Sequence, residues 1–250
     1  ITLPHLSDAV DWIERWDRQQ ALYLPDREEV FARMLDVAER LVGPPARVLD
    51  LACGPGSLAA RAVARFPDAE VVAVDLDPVL LALGRAASVP RTTWLDADLR
   101  VDGWDAELPT EGFDLVLSAT ALHWLDADRW PSLAGSLARL LRPAGLFLDY
   151  DQMRTDADAP QLAALTDALH REPWEAIGDG AEDWAAWWAA VADSPAFAPL
   201  LTERDRRFDG RRVGSGSSVG ERVAALRAAG FDEVAPLEQV ADRRLLAAIR

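Results

Sequence analysis

Apolar residues follow two different rhythms along this chain. Residues 8 to 18 and 27 to 42 carry them at helical spacing, and in the second run Val30, Phe31, Met34, Leu35, Val37, Ala38 and Leu41 recur on one side. "GPP" at 43 to 45 stops that helix. Beyond it, short apolar runs alternate with helical ones. "ARVLDLA" predicts a buried strand, "CGPG" a bend, and residues 57 to 65 a helix. "PDA" turns the chain into a second strand, "EVVAVD". "PVLLALGRAA" is then a helix with Pro78 in its first turn, where a missing N–H costs nothing. "TTWL" and "FDLVLSA" predict a third and a fourth strand. "DRWPSLAGSLARLL" is the next helix, "RPAG" ends it, and "LFLDYD" is a fifth strand. Strands interleaved with helices in this way predict an α/β fold, a parallel sheet covered on both faces. Ligands of such sheets sit outside the carboxyl ends of the strands, near the switch point.

From about Asp151 the rhythm changes. Two helical patches, "PQLAALTDALHREPW" and "AEDWAAWWAAVA", are separated by "EAIGDG". This insertion holds four of the ten tryptophans, Trp174, Trp184, Trp187 and Trp188, either as a helix face packed on the sheet domain or as the wall of a lid. "VGERVAALRAAGF" predicts a helix stopped by Gly230, and "RRLLAAIR" a closing strand. One domain over 1–250 is expected. Within it lie N-terminal helices at 1–44, a cofactor-binding core at 45–152, a helical insertion or lid at 153–200, and closing strands and helix at 201–250.

Composition narrows the partners. A chain of 250 residues, half of them hydrophobic, can bury a large core. No apolar run reaches the roughly 18 residues of a membrane helix. The opening "ITLPHLSDAVDWIERW" has no basic leader ahead of an apolar block, so no secretory signal is expected there, and it does not begin with Met, so the true start can lie upstream. The single cysteine, Cys53, fits a reducing compartment, and a cytoplasmic location is expected. A formal charge of -16 repels phosphate backbones. Five arginines gather in "RDRRFDGRR" (204 to 212), read as a solvated strand or hairpin rim. The expected partner is a small molecule, with no nucleic acid and no membrane, and the expected state is a monomer or homodimer. Ten acids and two arginines between 151 and 200 would draw a cationic acceptor, which tryptophan faces would also attract.

The bend "CGPG" is where ligand chemistry concentrates. Glycines let a backbone approach a ligand, and the following helix offers free N–H groups and partial positive charge. The phosphate-loop pattern fails because no Gly-Lys-Ser/Thr follows Gly56, and Ala59 stands where a third glycine of G-x-G-x-x-G would be. Asp75 ends the second strand 21 residues after Gly54, where a carboxylate can take ribose hydroxyls. That spacing suits NAD and S-adenosylmethionine equally.

The combination of motifs resembles the class I S-adenosylmethionine-dependent methyltransferases, in their small-molecule branch. "VLDLACGPG" is similar to that family's first motif, "VVAVDLDPVLLALGRA" to its second, "TTWLDADL" to its third, and "FDLVLSATALHWL" to the segment at the fourth strand. "LARLLRPAGLFL" continues the likeness, which resumes in "VAALRAAGFDEV". The resemblance implies a Rossmann-like sheet of seven strands, the last antiparallel, with the sixth expected within 201 to 213. It implies S-adenosylmethionine as cofactor, held by Asp50, Ala52, Gly54, Gly56, Asp75, Leu76, Asp98, Leu99 and Ala119. Asp50 would orient the loop and the methionine amino group, Asp75 the ribose, and Asp98 the adenine; Ala52 departs from the glycine often found there.

Methyl transfer to an O, N or C atom of a small acceptor, by in-line displacement, is the implied reaction. Candidate catalytic groups are His123, after the fourth strand, Tyr150 and Asp151 at the end of the fifth, and His170 beside Glu172. Cys53 has no partner in sequence and reads as a small loop residue. No Cys or His cluster suggests a metal. Alternatives are a cofactor-binding protein with lost or changed chemistry, a partner subunit of a larger enzyme, and an NAD-dependent oxidoreductase.

Overall fold

The computed structural model describes residues 6–156, 158–175, 180–209 and 216–250. Seven strands form one sheet: β1 (Arg47–Leu51), β2 (Glu70–Asp75), β3 (Thr92–Asp96), β4 (Phe113–Ala119), β5 (Leu141–Gln152), β6 (Glu233–Val240) and β7 (Arg243–Ile249). Their order is β3-β2-β1-β4-β5-β7-β6. The first five run parallel, and β7 lies antiparallel between β5 and β6. The winding reverses between β1 and β4, so the crevice available to a ligand opens at the carboxyl ends of those two strands.

Alternation along the strands sends side chains to two cores. Leu49 and Leu51 of β1 face α5 (Trp130–Leu140) and α9 (Val219–Ala228), meeting Leu133, Leu137 and Leu226. Val48 faces the other way, toward Phe31 and Met34 of α2 (Arg27–Val42) and Leu58 and Ala62 of α3 (Ser57–Arg65). A third core joins α1 (Leu6–Tyr23), α4 (Pro78–Ala87), α7 (Trp184–Asp193) and α8 (Ala198–Phe208) around the fully buried Trp187. That ring meets Trp16 and Trp188 edge-on at 5.0 Å each and Trp12 at 5.7 Å. The tryptophan face of α7 is therefore packing, set against α1 and α4 rather than against the sheet itself.

Two sequence expectations change. The sixth strand is not within 201 to 213: residues through Phe208 continue α8, and both β6 and β7 come from the last 18 residues. The reason lies in the arginines. Arg204 and Arg207 share one face of α8 and reach the buried Asp77 and the exposed Asp96, which a strand, alternating sides, would not permit. The arginine-rich run is accordingly no strand or hairpin rim through Phe208; residues 210–215 lie outside the described residues. The helical segment after β5, which includes α6 (Pro160–Glu175), extends past position 200.

Candidate active site

The bend after β1 is fastened to β2. Cys53 N donates to the Val74 carbonyl at 3.0 Å, and Gly54 N donates to Asp75 Oδ2 at 2.7 Å. The other Asp75 oxygen accepts from Asp77 N at 2.8 Å. Burial pushes the Asp75 carboxyl up to about 6, against the pull of these backbone donors. Asp50, buried on β1, is pushed by burial up to about 8, and its Oδ2 makes no hydrogen bond in the structure. The Cys53 thiol, also raised by burial, is no nucleophile at neutral pH.

The two glycines of the bend have different causes. Gly56, at φ 87°, lies under the Trp94 ring, and a Cβ there would meet Trp94 Cζ3 at 2.9 Å. Gly84 of α4 packs against the same atoms of that ring. The close approach at Gly56 is thus to a side chain of this protein. Gly54, at φ 57°, has room for a Cβ, with Leu80 and Trp16 no nearer than 3.9 Å. Its left-handed backbone alone does not demand glycine, since Ala52 holds φ 50° two residues earlier. α1 covers this bend: Asp17 accepts from Ser57 Oγ at 2.5 Å and pairs with Arg27 at 2.8 Å and Arg61 at 3.0 Å.

At the end of β3, Asp98 accepts from Arg100 N at 3.0 Å and Arg100 Nε at 2.8 Å, while Leu99 is buried in the core. α8 docks here. Arg207 donates to the Leu76 carbonyl at 2.7 Å and to Asp96 at 2.6 and 2.8 Å, and Arg204 pairs with Asp77 at 2.6 Å. Asp77 also caps α4 through Val79 N at 2.9 Å.

A second group of residues stands where β4 and β5 end. Ala119 closes β4, tied to β1 by the Ser118 hydroxyl donating to the Leu51 carbonyl at 3.0 Å. A short turn at Leu122–Trp124 then brings His123 Nδ1 to 2.7 Å from Asp151 Oδ1. Arg222 of α9 donates to Asp151 Oδ2 at 3.0 Å, to Asp149 Oδ2 at 2.5 Å and to Ser217 Oγ at 2.8 Å, with its guanidinium 4.6 Å from the Trp130 ring centre. Burial pushes the Asp151 carboxyl up, but His123 and Arg222 outweigh it and hold it below the usual range. Asp149 lacks the histidine contact, and burial raises it to about 7. Tyr150 points to the opposite face of the sheet, buried in the core with α2 and pushed up to about 12, so it does not join His123 and Asp151. His170 lies on α6, and its side chain is outside the described residues, as is that of Trp174.

A model of the family described as a methyltransferase domain matches residues 48–145, which span β1 through the start of β5. A trans-aconitate 2-methyltransferase of Azoarcus sp. is 35% identical over 185 residues, 74% of this chain and 63% of its own length. One of Streptomyces avermitilis is 30% identical over 76% of this chain and 68% of its own length. The chain belongs to the class I S-adenosylmethionine-dependent methyltransferases. It spans a little under two thirds of the Azoarcus relative's length. Among solved structures, the amino pentose methyltransferase CalS10 of Micromonospora echinaspora shares this methyltransferase fold, with a TM-score of 0.57 and 19% identity over 89% of this chain and 90% of that one. An O-methyltransferase family protein of Burkholderia thailandensis gives the same TM-score and identity, over 94% of this chain and 59% of the other.

Several residues of this candidate site carry no motif in the sequence. Arg222 is the clearest, and its signal was available: it falls with Ala225 and Leu226 on the buried face of a helix, where a charge needs partners. Arg204, Arg207 and Asp17 carried no such signal, because their acids are distant in sequence. The acids of the insertion also look different once partnered. Glu182 pairs with Arg15, Asp183 caps α7, Asp156 accepts from Gly220 N, and Asp151 serves His123.

Proposed function

We propose that this protein transfers a methyl group from S-adenosylmethionine to a hydroxyl or amine of a small molecule, with His123 as general base. The cofactor fits what the bend offers. Asp75 would hold the ribose at the end of β2, Gly54 leaves open the space its side chain would fill, and the unpartnered Oδ2 of Asp50 lies beneath the loop. Leu76, Asp98, Leu99 and Ala119 would line the remaining walls, and Ala52 shapes the turn with its positive φ. When bound, the cofactor supplies an electrophilic methyl group on a sulfonium. The chain's own part is to hold the acceptor in line and exclude water.

The observation that carries the base is the His123–Asp151 pair. Asp151 accepts the Nδ1 proton, which leaves Nε2 to accept one from an acceptor hydroxyl. The neighbouring Trp124 ring, half exposed and 5.3 Å from the imidazole, suits a flat or cationic acceptor. A second reading follows from the identity to trans-aconitate 2-methyltransferases: esterification of a carboxylate, which is already ionised and needs no base. The net charge of -16 opposes an anionic acceptor and favours the first reading.

Calorimetry with S-adenosylmethionine, S-adenosylhomocysteine and NAD tests the cofactor, and binding of NAD alone would overturn the assignment. Labelled methyl transfer to phenols, amines and trans-aconitate tests the acceptor. With a hydroxyl acceptor, His123→Asn loses about 10²-fold or more in kcat. An unchanged rate with the variant, or labelling of trans-aconitate alone, would sink the base.

A further inference from the structure

We infer that Arg222 is a positioning residue of this site, holding Asp151 ionised and aimed at His123 from a helix 71 residues further along the chain. The inference rests on the His123 reading above and extends it to a group that touches neither acceptor nor cofactor.

The geometry is specific. The guanidinium forks across two carboxylates on the same face of β5, two residues apart, so neither acid can swing away without losing a charge-assisted bond. All three side chains are fully buried. Two buried carboxylates at this separation repel, and a single shared cation is what lets one of them remain charged. The distribution is uneven: Asp151 has Arg222 on one oxygen and His123 on the other, whereas Asp149 Oδ1 has no partner. The negative charge therefore settles on Asp151, where the imidazole needs it. Nε bonding to Ser217, and the Trp130 ring against the guanidinium plane, keep the fork from rotating. Ser218, the next residue, caps α9 in a reciprocal pair with Glu221, which fixes the helix that carries Arg222. The charged groups turned toward this cluster are Asp149 and Asp151 from β5, Arg222 from α9 and, acting on Arg222, Arg244 from β7. Lysine could not replace the fork, since it is a point charge that would serve one carboxylate at a time.

The test needs no acceptor. The ring signals of His123 are followed by NMR through a pH titration in the full chain, wild type against Arg222→Gln, Arg222→Lys and Asp149→Asn. Removing the cation favours the protonated imidazole, so Arg222→Gln moves the His123 midpoint to higher pH by about one unit, a tenfold change in protonation. Asp149→Asn removes a carboxyl that gains its charge only as pH rises through about 7 and frees Arg222 for Asp151, so the midpoint moves the other way, by about half a unit. Arg222→Lys keeps the charge and leaves the midpoint within about 0.3 units, while the ring signals broaden as the fork is lost. A merely structural arginine would lower the unfolding temperature and leave all midpoints in place, which would overturn the inference. Should Arg222→Gln not fold, an unmoved midpoint in Asp149→Asn overturns it as well. Failure of the base itself is seen separately, as an unaltered methyl-transfer rate in His123→Asn beside shifted midpoints in the Arg222 and Asp149 variants.

Discussion

Gly54 and Gly56 stand two residues apart in one motif but in different surroundings, which alanine substitution separates. At Gly56 two penalties combine. Alanine at φ 87° costs roughly 1–2 kcal/mol in backbone strain. Its Cβ would also press into Trp94, a ring already packed against Gly84 of α4. Overpacking of that kind costs about 1–3 kcal/mol. Gly56→Ala should therefore lose about 3 kcal/mol, which for a chain of this size lowers Tm by roughly 6–12 °C. Gly54→Ala meets nothing closer than 3.9 Å, so only the strain remains, about 1 kcal/mol and roughly 2–4 °C. Binding should follow the reverse order. If the cofactor approaches the bend at Gly54, as proposed, a methyl group there stands in its way, and calorimetry should find S-adenosylmethionine weakened about tenfold or more, a loss of about 1.4 kcal/mol. Scanning calorimetry without ligand, followed by titration with S-adenosylmethionine, measures both. Equal stability of the two variants, or undiminished affinity in Gly54→Ala, would refute the reasoning.

Three further outcomes are expected. Asp75 carries a pKa raised to about 6, so it loses its charge as pH falls through that value, and S-adenosylmethionine affinity should drop about tenfold from pH 7 to pH 5. Asp75→Asn should bind weakly with no such slope, which calorimetry at several pH values checks. Asp50 has a folded pKa of about 8, above its unfolded value near 4, so its contribution to stability is present at low pH and lost as pH rises through 8. Thermal melts should show this decline in the free protein, and Asp50→Asn should flatten it. Trp187→Ala empties the centre of the third core and should cost about 3–5 kcal/mol, read by urea unfolding.

The first five strands and their helices were legible because most of the strands are short apolar runs broken by single acids such as Asp50 and Asp114, and the helices between them keep a 3.6-residue period. α3 and α4 fall on the residues expected for them. β6 was not legible. Its sequence, "EVAPLEQV", is mostly exposed and carries a proline, as suits an edge strand that packs only one side. α8 was misread for a related reason: its apolar content is low, and its partners are acids more than 100 residues away in sequence. Within the site, the bend and Asp75 could be found by spacing, since β1 and β2 are neighbours joined by one helix. The pairing of His123 with Asp151 could not, because it depends on β4 and β5 being adjacent and in register at Ala119 and Tyr150. The register also explains Tyr150: adjacent residues of a strand face opposite ways, so Asp149 and Asp151 take one side and Tyr150 the other.

The helices of the insertion are fastened to the core by two different forces. α7 is held by tryptophan, through Trp187 and its neighbours, while α8 adds to its apolar contact at Leu200 two ion pairs, Arg204 to Asp77 and Arg207 to Asp96. Ionic strength separates them. Added salt screens partly exposed ion pairs and leaves aromatic burial intact or slightly strengthened. In 1 M salt, α8 should lose its grip on the Leu76 loop while α7 stays in place, and hydrogen exchange would register the difference helix by helix. The same pairings answer the five-arginine run. With Arg204 and Arg207 matched to Asp77 and Asp96, the described part of that stretch works as an internal tether, while Arg206 pairs with Glu203 of the same helix.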